Sequence, residues 1–335
     1  PTPSQRKRID DVRHHIQVAF SGTIRSFVGG TASMSFSSHR TALIGLIALL
    51  LTVVTACASR AELALPESGR AQPAPLGTWH TDVRRMADAD GNSGRRAHLR
   101  QRLGLAGMAV TAQPFASGEL QGENLIADVG GPAAAPLLLI GAHSDRVDAG
   151  RGATDNASGS AAALTLAERF KRRPLAHHRM KVAFWDLEER GLLGASAYIG
   201  QDSERPALYI NFDVFGWGDT LWMMSPDAKH PLALASRDAA QTRRISLTVG
   251  DRYPPSDHLA FLKAGWPAVS YSLVGAEEIT DVIGVYEGRK PTQMPKVMTV
   301  IHTDNDTIEH IDAVAAAKGI DAVEAAIRTW DAQAR

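Results

Sequence analysis

Strand-like segments rich in apolar residues recur along the chain from residue 78 onward, separated by segments with helical character, and one of them, 136–143, is a continuous apolar run. A strand is apolar throughout only when both faces of its sheet are covered, as in parallel sheets. The Ala- and Leu-rich segment 157–173, with charges at its end, is typical of a helix packed on such a sheet. The pattern predicts an α/β protein with a single three-layer α/β/α domain, residues 78–335, around a mostly parallel mixed central sheet. The predicted buried strands lie within 136–143, 179–188, 207–216 and 267–273.

A second apolar run, 42–56, ends in Val54-Thr55-Ala56 just before Cys57. Its length suits the apolar region of a signal peptide and is short for a membrane span. Small residues before a Cys resemble a bacterial lipoprotein signal, in which the Cys becomes the lipidated first residue. We therefore predict a lipoprotein-type signal peptide at 34–57 and a lipid anchor at Cys57; the alternative is an uncleaved N-terminal anchor. Either form places the domain outside the cytoplasm, in the periplasm or at the cell surface.

The segments on either side of this signal have loop-like composition. Residues 1–33 are polar and basic without clear periodicity, which predicts a disordered or non-native extension, with translation beginning at Met34. Residues 58–77 contain Pro, Gly, Ala and polar residues, a composition that suits a linker.

Charge and cysteine content exclude several functions. The formal net charge is zero and no basic stripe is present, so nucleic acid is a poor candidate partner. Cys57 is the only cysteine, so the chain has no intrachain disulfide and no cysteine-based zinc site.

Histidines and carboxylates follow the predicted strands at the points where the strands end. Because parallel strands end at the same edge of a sheet, these side chains are expected to meet there. Histidine together with carboxylate suits Zn²⁺, or a comparable ion such as Co²⁺ or Mn²⁺. Each residue taken alone has an ordinary alternative, such as a turn, a helix cap or a solvated surface, and the joint pattern favours the site. The candidates are His143, Asp145, Asp155, Glu188, Glu189, Asp213 and His302.

The motifs carrying these residues occur in a specific order: H-S-D, G-A-T-D-N-A-S-G, E-E-R-G-L-L-G, N-F-D and I-H-T-x-x-D-T. In this order they resemble the co-catalytic di-zinc aminopeptidases, which include bacterial leucine aminopeptidases and whose fold glutaminyl cyclases share. The resemblance covers roughly residues 90–330 and implies a zinc-exopeptidase fold, of the phosphorylase/hydrolase-like type, with two zinc ions per chain.

The resemblance also implies a role for each candidate. His143 and Asp213 would hold one zinc, and Glu189 and His302 the other. Asp155 would bridge both ions. Glu188 would be the general base, and Asp145 would orient His143 through a hydrogen bond that fixes its tautomer.

Two further segments carry weaker signals. Ser256-Asp257-His258, followed by F-L-K-A-G-W-P, is similar to a family segment near the substrate pocket, although helix capping by Ser256 and packing by Phe261 explain it equally well. The aromatics Phe215, Trp217 and Tyr271 are candidates for the pocket lining or for the core.

The chain after residue 276 is expected to be irregular at first and helical at its end. Residues 277–299 are predicted to be irregular and, by the resemblance, to form a pocket wall. A helix is predicted over about 307–332, with Asp306 as the cap of a capping box completed by Glu309.

The most consistent function is an exported, zinc-dependent aminopeptidase acting on peptide substrates, an exopeptidase of the hydrolase class. The first alternative is an acyltransferase like glutaminyl cyclase, with one zinc, that forms N-terminal pyroglutamate. Its basis is the run Gly152-Ala153-Thr154-Asp155, in which Thr154 replaces the Asp or Asn more common before the bridging residue. The second alternative is a binding module that has lost catalysis, which the intact Glu188 and the complete ligand set oppose.

Overall fold

An eight-stranded mixed sheet forms the centre of the part of the chain that the structure describes. The computed structural model describes residues 78–201 and 203–334, so the predictions for the extension, the signal peptide, Cys57 and the linker lie outside it. The strand order across the sheet is β1-β2-β4-β3-β5-β8-β6-β7. The strands are β1 (Val110–Ser117), β2 (Leu120–Gly130), β3 (Leu137–His143), β4 (Arg179–Trp185), β5 (Leu208–Phe212), β6 (Thr220–Met224), β7 (Ser246–Gly250) and β8 (Ala268–Val274).

The middle of the sheet is parallel and carries the apolar runs. β3 pairs in parallel with β4 and with β5, and β5 pairs in parallel with β8. Antiparallel pairs join β1 to β2, β2 to β4 and β6 to β8, while β7 lies parallel to β6 at the far edge. Every residue of β3, β5 and β8 is buried, as expected for strands covered on both faces. The predicted fold class is therefore confirmed.

Helices cover both faces of the sheet. On one face α1, α3, α5 and α9 pack together, and on the other face α4 packs against α6. None of the helices in the described residues combines the length and the apolar character needed to cross a membrane. The helices are α1 (Thr78–Ala87), α2 (Gly91–Leu105), α3 (Ser158–Arg172), α4 (Leu193–Gly200), α5 (Pro231–Arg243), α6 (His258–Lys263), α7 (Ile279–Tyr286), α8 (Lys296–Val300) and α9 (Ala313–Gln333).

The core is divided between the two faces of the sheet because successive side chains of a strand point to opposite sides. In β3, Leu138 and Ile140 join the larger apolar cluster, while Leu139 joins the smaller one with Trp185 and Tyr209. Each fully buried side chain of this size stabilises the fold by roughly 1.5–3 kcal/mol. This packing fixes the strand ends, where the candidate residues lie.

Two predictions for the end of the chain are wrong. The last helix begins at Ala313, and its cap is Asp312, whose carboxylate accepts the backbone N–H groups of Val314 and Ala315. Asp306 is therefore not a helix cap, because it is engaged elsewhere in the structure. The segment 277–299 is also not irregular, since it contains α7 and most of α8.

Candidate metal centre

His143 is the last residue of β3, and its side chain is only 1% exposed. Asp145 follows two residues later, with Oδ1 lying 3.4 Å from Nδ1 of the His143 ring. The opposite ring nitrogen, Nε2, faces the other candidates. Asp145 therefore lies on one side of the imidazole and the remaining carboxylates on the other, although Nδ1 makes no well-aligned hydrogen bond among the described residues.

The Glu188–Glu189 pair lies in a short turn, Glu188–Arg190, after β4. Leu187 before it and Leu192 after it both adopt left-handed backbone conformations, with φ of 57° and 62°. The carboxylate of Asp145 accepts the backbone N–H of Glu188 at 3.1 Å and that of Glu189 at 3.2 Å. The same carboxylate thus contacts both the histidine and the turn that carries the two glutamates.

Asp155 lies in the kinked turn Ala153–Ala157 that leads into α3. The next residue, Asn156, donates its side-chain N–H to the carbonyl of Phe212 at 2.9 Å and accepts the backbone N–H of Val214. Phe212 and Val214 flank Asp213. These bonds hold the Asp155 loop against the end of β5, so Asp155, which precedes α3, lies close to Asp213, which follows β5.

Asp213 and His302 both lie beside unusual backbone conformations. Val214, next to Asp213, has φ of 52°, and His302 itself has φ of 58°. A β-branched residue such as Val214 is strained in this left-handed region. The carbonyl of Asp213 accepts the hydroxyl of Ser272 from the adjacent strand β8. The sequence suggested that His302 follows the end of a strand. In the structure it follows α8 instead.

The structure brings all seven candidate residues together. Nε2 of His143 lies 3.1 Å from Oδ1 of Asp155 and 3.5 Å from Oδ1 of Asp213. Nε2 of His302 lies 3.1 Å from the other Asp155 oxygen, Oδ2, and 3.1 Å from Oε2 of Glu189. The Asp155 carboxylate therefore presents one oxygen to each histidine.

The described residues contain three sets of side chains that could hold a metal ion. Within each set, the ligand atoms lie within 4.8 Å of one another. Two of the sets share the Asp155 carboxylate, which is the arrangement expected of a bridging ligand. The third set includes Glu188, whose Oε2 is 4.0 Å from Nε2 of His143. The sets are His143 with Asp155 and Asp213; Asp155 with Glu189 and His302; and His143 with Glu188 and Glu189.

The charges in this cluster shift the pKa values in opposite directions. Burial opposes protonation of His143, but Glu188 and the aspartates around it raise its pKa well above the usual value. Burial likewise opposes protonation of His302, and Asp155 and Glu189 raise its pKa to about 11. Burial alone would raise the pKa of Asp155, yet the two histidines hold it well below the usual range. The carboxylates thus favour positive charge at the ring nitrogens of His143 and His302.

Burial is the largest cause of the raised pKa values of both glutamates. It raises the pKa of Glu188 well above the usual range and raises that of Glu189 as well. A buried carboxylate with a raised pKa is a stronger proton acceptor than a solvated one.

The residues present fit a zinc centre. Three carboxylate oxygens, Oδ1 of Asp155, Oε1 of Glu189 and Oδ1 of Asp213, are buried without a well-aligned hydrogen bond within the described part of the chain, although Nε2 of His143 lies near both aspartates. An unpaired buried carboxylate oxygen is costly unless a cation compensates it. Imidazole nitrogen with carboxylate oxygen is a donor set that zinc accepts, and each Asp155-containing set has three protein ligands, as in catalytic zinc sites.

Three nearby residues had little or no signal in the sequence. Asp306 accepts the backbone N–H groups of Thr154 at 2.6 Å and of Asp155 at 3.0 Å. Asp257 is fully buried and neither carboxylate oxygen has a hydrogen-bond partner among the described residues; burial raises its pKa well above the usual range. Burial, together with the charges of the site carboxylates, also raises the pKa of Tyr286.

The weaker sequence candidates divide between the core and the site. Phe215 and Tyr271 are fully buried in the larger apolar cluster, and Trp217 is 4% exposed in a third cluster. All three aromatics therefore pack in the core. Phe261 also packs in the core, stacked on Tyr209 at 3.9 Å between ring centroids. Asp257 is the member of the Ser256-Asp257-His258 motif that contributes, after burial, to the raised pKa of Glu188.

This fold, with histidines and carboxylates gathered at the ends of central strands, is that of the zinc-dependent exopeptidases. The model of peptidase family M28 matches residues 124–327, and the chain belongs to that family. The resemblance inferred from the motif order is confirmed by this match. The enzyme class predicted from the sequence, an exopeptidase hydrolase, is confirmed with it.

Individual relatives agree with the family. The chain is 29% identical over 325 aligned residues to leupeptin-inactivating enzyme 1 of Streptomyces exfoliatus, covering 89% of this chain and 72% of that protein. It also resembles the crystal structure of BSAP, a zinc aminopeptidase from Bacillus subtilis, with a TM-score of 0.52 and 25% identity over 63% of this chain. The chain spans half the length of the Bacillus enzyme.

A glutaminyl cyclase shares the fold more completely. The structure of the Porphyromonas gingivalis glutaminyl cyclase gives a TM-score of 0.60 and covers 77% of this chain and 98% of the cyclase. Its 20% sequence identity to this chain is a likeness of fold alone.

Proposed function

We propose that this protein is a metallo-aminopeptidase that removes N-terminal residues from peptides outside the cytoplasm, with two zinc ions per chain. The observation that carries the proposal is the position of Asp155, whose two carboxylate oxygens each lie 3.1 Å from a different histidine. A carboxylate can bridge two cations, whereas an imidazole nitrogen cannot. The donor sets on either side of Asp155 therefore support two neighbouring metal positions.

In this proposal, five residues hold the metal ions. Of the two others, Glu188 transfers a proton and Asp145 orients its neighbours. When bound, the zinc ions polarise the scissile carbonyl and lower the pKa of water. Glu188 accepts a proton from the attacking water at its carboxylate and delivers it to the leaving amine. Asp145 fixes the His143 ring and, through its two backbone contacts, the direction in which Glu188 and Glu189 point. The proposed ligands are His143, Asp155, Glu189, Asp213 and His302.

Different roles for Glu188 and Glu189 would explain why two like charges are adjacent in the sequence. In the turn after β4, Oε2 of Glu189 reaches His302 at 3.1 Å, while Oε2 of Glu188 lies 4.0 Å from His143. The two side chains thus face different histidines. This difference supports the proposal that Glu189 ligates a zinc ion and that Glu188 accepts the proton of the attacking water.

The test combines substrates with metal content. The purified protein is assayed on a panel of aminoacyl-p-nitroanilides with and without a chelator, and zinc per chain is measured. The proposal predicts chelator-sensitive release of nitroaniline and two zinc ions per chain. Two bound zinc ions without cleavage of any aminoacyl or peptide substrate would contradict it. One zinc per chain with conversion of an N-terminal glutamine peptide to pyroglutamate would establish the cyclase alternative.

Export and anchoring are proposed on the strength of the apolar run 42–56 and Cys57. Mass spectrometry of the protein isolated from membranes tests both. The expected result is an N-terminus at Cys57 carrying the mass of a lipid modification. An unprocessed N-terminus upstream of residue 42, or a soluble product lacking lipid, would exclude the lipoprotein form.

A further inference from the structure

One face of α2 contacts the loops that carry the candidate catalytic residues. The contacts come from Asn92, Arg95 and Arg96, which are spaced i, i+3 and i+4 and therefore lie side by side on the helix. This helix precedes the residues that the family model matches, 124–327. The following steps rest on the function proposed above.

Asn92 and Arg96 contact two of these loops directly. Oδ1 of Asn92 accepts the backbone N–H of Arg146, the residue after Asp145, at 3.2 Å. Nη1 of Arg96 forms an ion pair with Oδ2 of Asp186 at 2.8 Å, and the Asp186 side chain is only 3% exposed. Asp186 lies two residues before Glu188. The helix therefore contacts both the loop of the orienting carboxylate and the turn of the proposed base.

Arg95, on the same face of the helix, lies against the third loop. A Cβ atom added to Gly152 would lie 2.6 Å from Nη1 of Arg95, so the guanidinium packs directly against the Gly152 backbone. Gly152 has φ of 58°, a left-handed conformation that glycine adopts without strain, and it lies three residues before Asp155. Any side chain at this position would displace the arginine.

The burial of Arg95 is unusual because its charge has no direct partner. The side chain is 0% exposed, and none of its three guanidinium nitrogens has a hydrogen-bond partner in the described ranges. Burial lowers the pKa of Arg95 to about 10, and Asp145, Asp306 and Asp155 act in the opposite direction. The group remains charged at neutral pH and lies in the field of carboxylates that surround the metal centre.

We propose that Arg95 is a positioning residue, which with Asn92 and Arg96 holds the loops of Asp145, Asp155 and Glu188 in their working arrangement. An unpaired buried charge destabilises a fold. A protein retains such a group where it organises a site, even at a cost in stability. Arg95 acts through the loops and does not touch the substrate.

This role predicts opposite effects on stability and on turnover. Arg95→Met removes the charge but keeps a long apolar side chain, so the variant is expected to be as stable as the wild type or more stable. Its kcat is expected to fall roughly 10- to 100-fold with KM little changed, because small displacements of catalytic groups have effects of this size. Arg95→Lys restores a positive charge and is expected to recover part of the lost kcat.

Hydrogen exchange gives a readout that does not depend on activity. In the metal-free protein, Arg95→Met is expected to speed amide exchange in residues 145–157 and 186–190 and to leave the far edge of the sheet unchanged. The matched control is Arg100→Met on the same helix, since Arg100 pairs with Glu123 at the surface, at 2.7 Å. This control is expected to change neither exchange nor kcat.

The outcomes separate this inference from the proposed function. If the wild type cleaves no aminoacyl or peptide substrate, the proposed function fails, and the exchange comparison still decides the role of Arg95. A folded Arg95→Met variant with wild-type exchange in 145–157 and wild-type kcat would overturn the inference. If Arg95→Met does not fold, Arg96→Met decides instead, and unchanged exchange in 186–190 with unchanged kcat in that variant would overturn it equally.

Discussion

The carboxylate of Asp306 holds the backbone of Asp155, because its Oδ2 accepts the Asp155 N–H at 3.0 Å. Oδ1 of the same carboxylate accepts the N–H of Thr154 at 2.6 Å. Asp306 lies four residues after His302, so this contact ties the loop of the last histidine to the loop of the proposed bridging ligand. The donor set of Asp155, Glu189 and His302 thus depends on Asp306, which is not a member of that set.

Removal of this contact should weaken both the fold and the centre. Asp306→Ala leaves two buried backbone N–H groups unpaired, which costs about 1–3 kcal/mol for each such loss. Urea unfolding of the metal-free protein is expected to show this loss, and chelator competition is expected to show weaker zinc binding. Asp304→Ala is the matched control. Asp304 is exposed, and its contact with the Gly150 N–H is long, at 3.4 Å. Equal behaviour of the two variants would show that the Asp306 contact is unimportant.

His258 should make the protein sensitive to acid. Burial, with a smaller effect of Lys263, lowers the pKa of His258 to about 3 from the ordinary 6.5. Because the folded state favours the neutral ring, the stabilising contribution is present above pH 6.5 and is lost as the pH falls toward 3. The loss amounts to about 1.4 kcal/mol for each pH unit in that window.

His258→Gln tests this assignment, because glutamine does not titrate. Between about pH 6.5 and about pH 4.5, the free energy of unfolding of the metal-free variant is expected to change less with pH than that of the metal-free wild type. The two slopes are expected to differ by about 1.4 kcal/mol for each pH unit. Urea unfolding at several pH values measures both slopes. Parallel curves for the two proteins would mean that His258 is not buried as a neutral group.

Glu278 should control the segment that contains α7 and α8. Its Oε1 accepts the indole N–H of Trp217 at 2.9 Å, and its Oε2 accepts the backbone N–H of Val297 at 2.6 Å. Glu278→Ala leaves both donors without a partner and frees the segment that we predict to be a pocket wall. We expect KM for peptides to rise several-fold, with a smaller change in kcat. Glu277→Ala, at an exposed neighbouring position, is the control, and an equal KM in both variants would place the segment outside the pocket.

Asp331 should affect stability alone. Its carboxylate accepts the backbone N–H groups of Ala176 and His177 at 2.8 and 3.1 Å and contacts Nδ1 of His178 at 2.8 Å. These residues precede β4, at the end of the strand opposite to the proposed site. Asp331→Ala is expected to cost about 2–4 kcal/mol in unfolding free energy, as removal of a buried network does. The kcat of the folded, zinc-loaded variant should equal that of the wild type, and a large fall in kcat would contradict this separation.

The sequence predicts the parts of the site that depend on local pattern. The apolar runs place His143, Glu188 and Asp213 just after buried strands, because a strand covered on both faces must end where polar residues begin. The positions of Asp306 and Arg95 follow from contacts between segments distant in the chain, and no local periodicity encodes them. Asp306 even has the local pattern of a helix cap, which its contact with the Asp155 loop overrides. His302 lies at the site although it follows a helix and not a strand, so the strand-end rule does not account for it, and only its motif predicted its position.

The division of labour between Glu188 and Glu189 is the central claim, and one paired measurement tests it most directly. Zinc per chain and kcat are determined in parallel for Glu188→Gln and Glu189→Gln. Glu188→Gln is expected to keep two zinc ions and to lose turnover by roughly 10²- to 10⁴-fold, the usual contribution of a general base. Glu189→Gln is expected to bind about one zinc fewer per chain, because a neutral amide is a poor substitute for a ligating carboxylate. Wild-type turnover in Glu188→Gln, or loss of the same metal in both variants, would contradict the account.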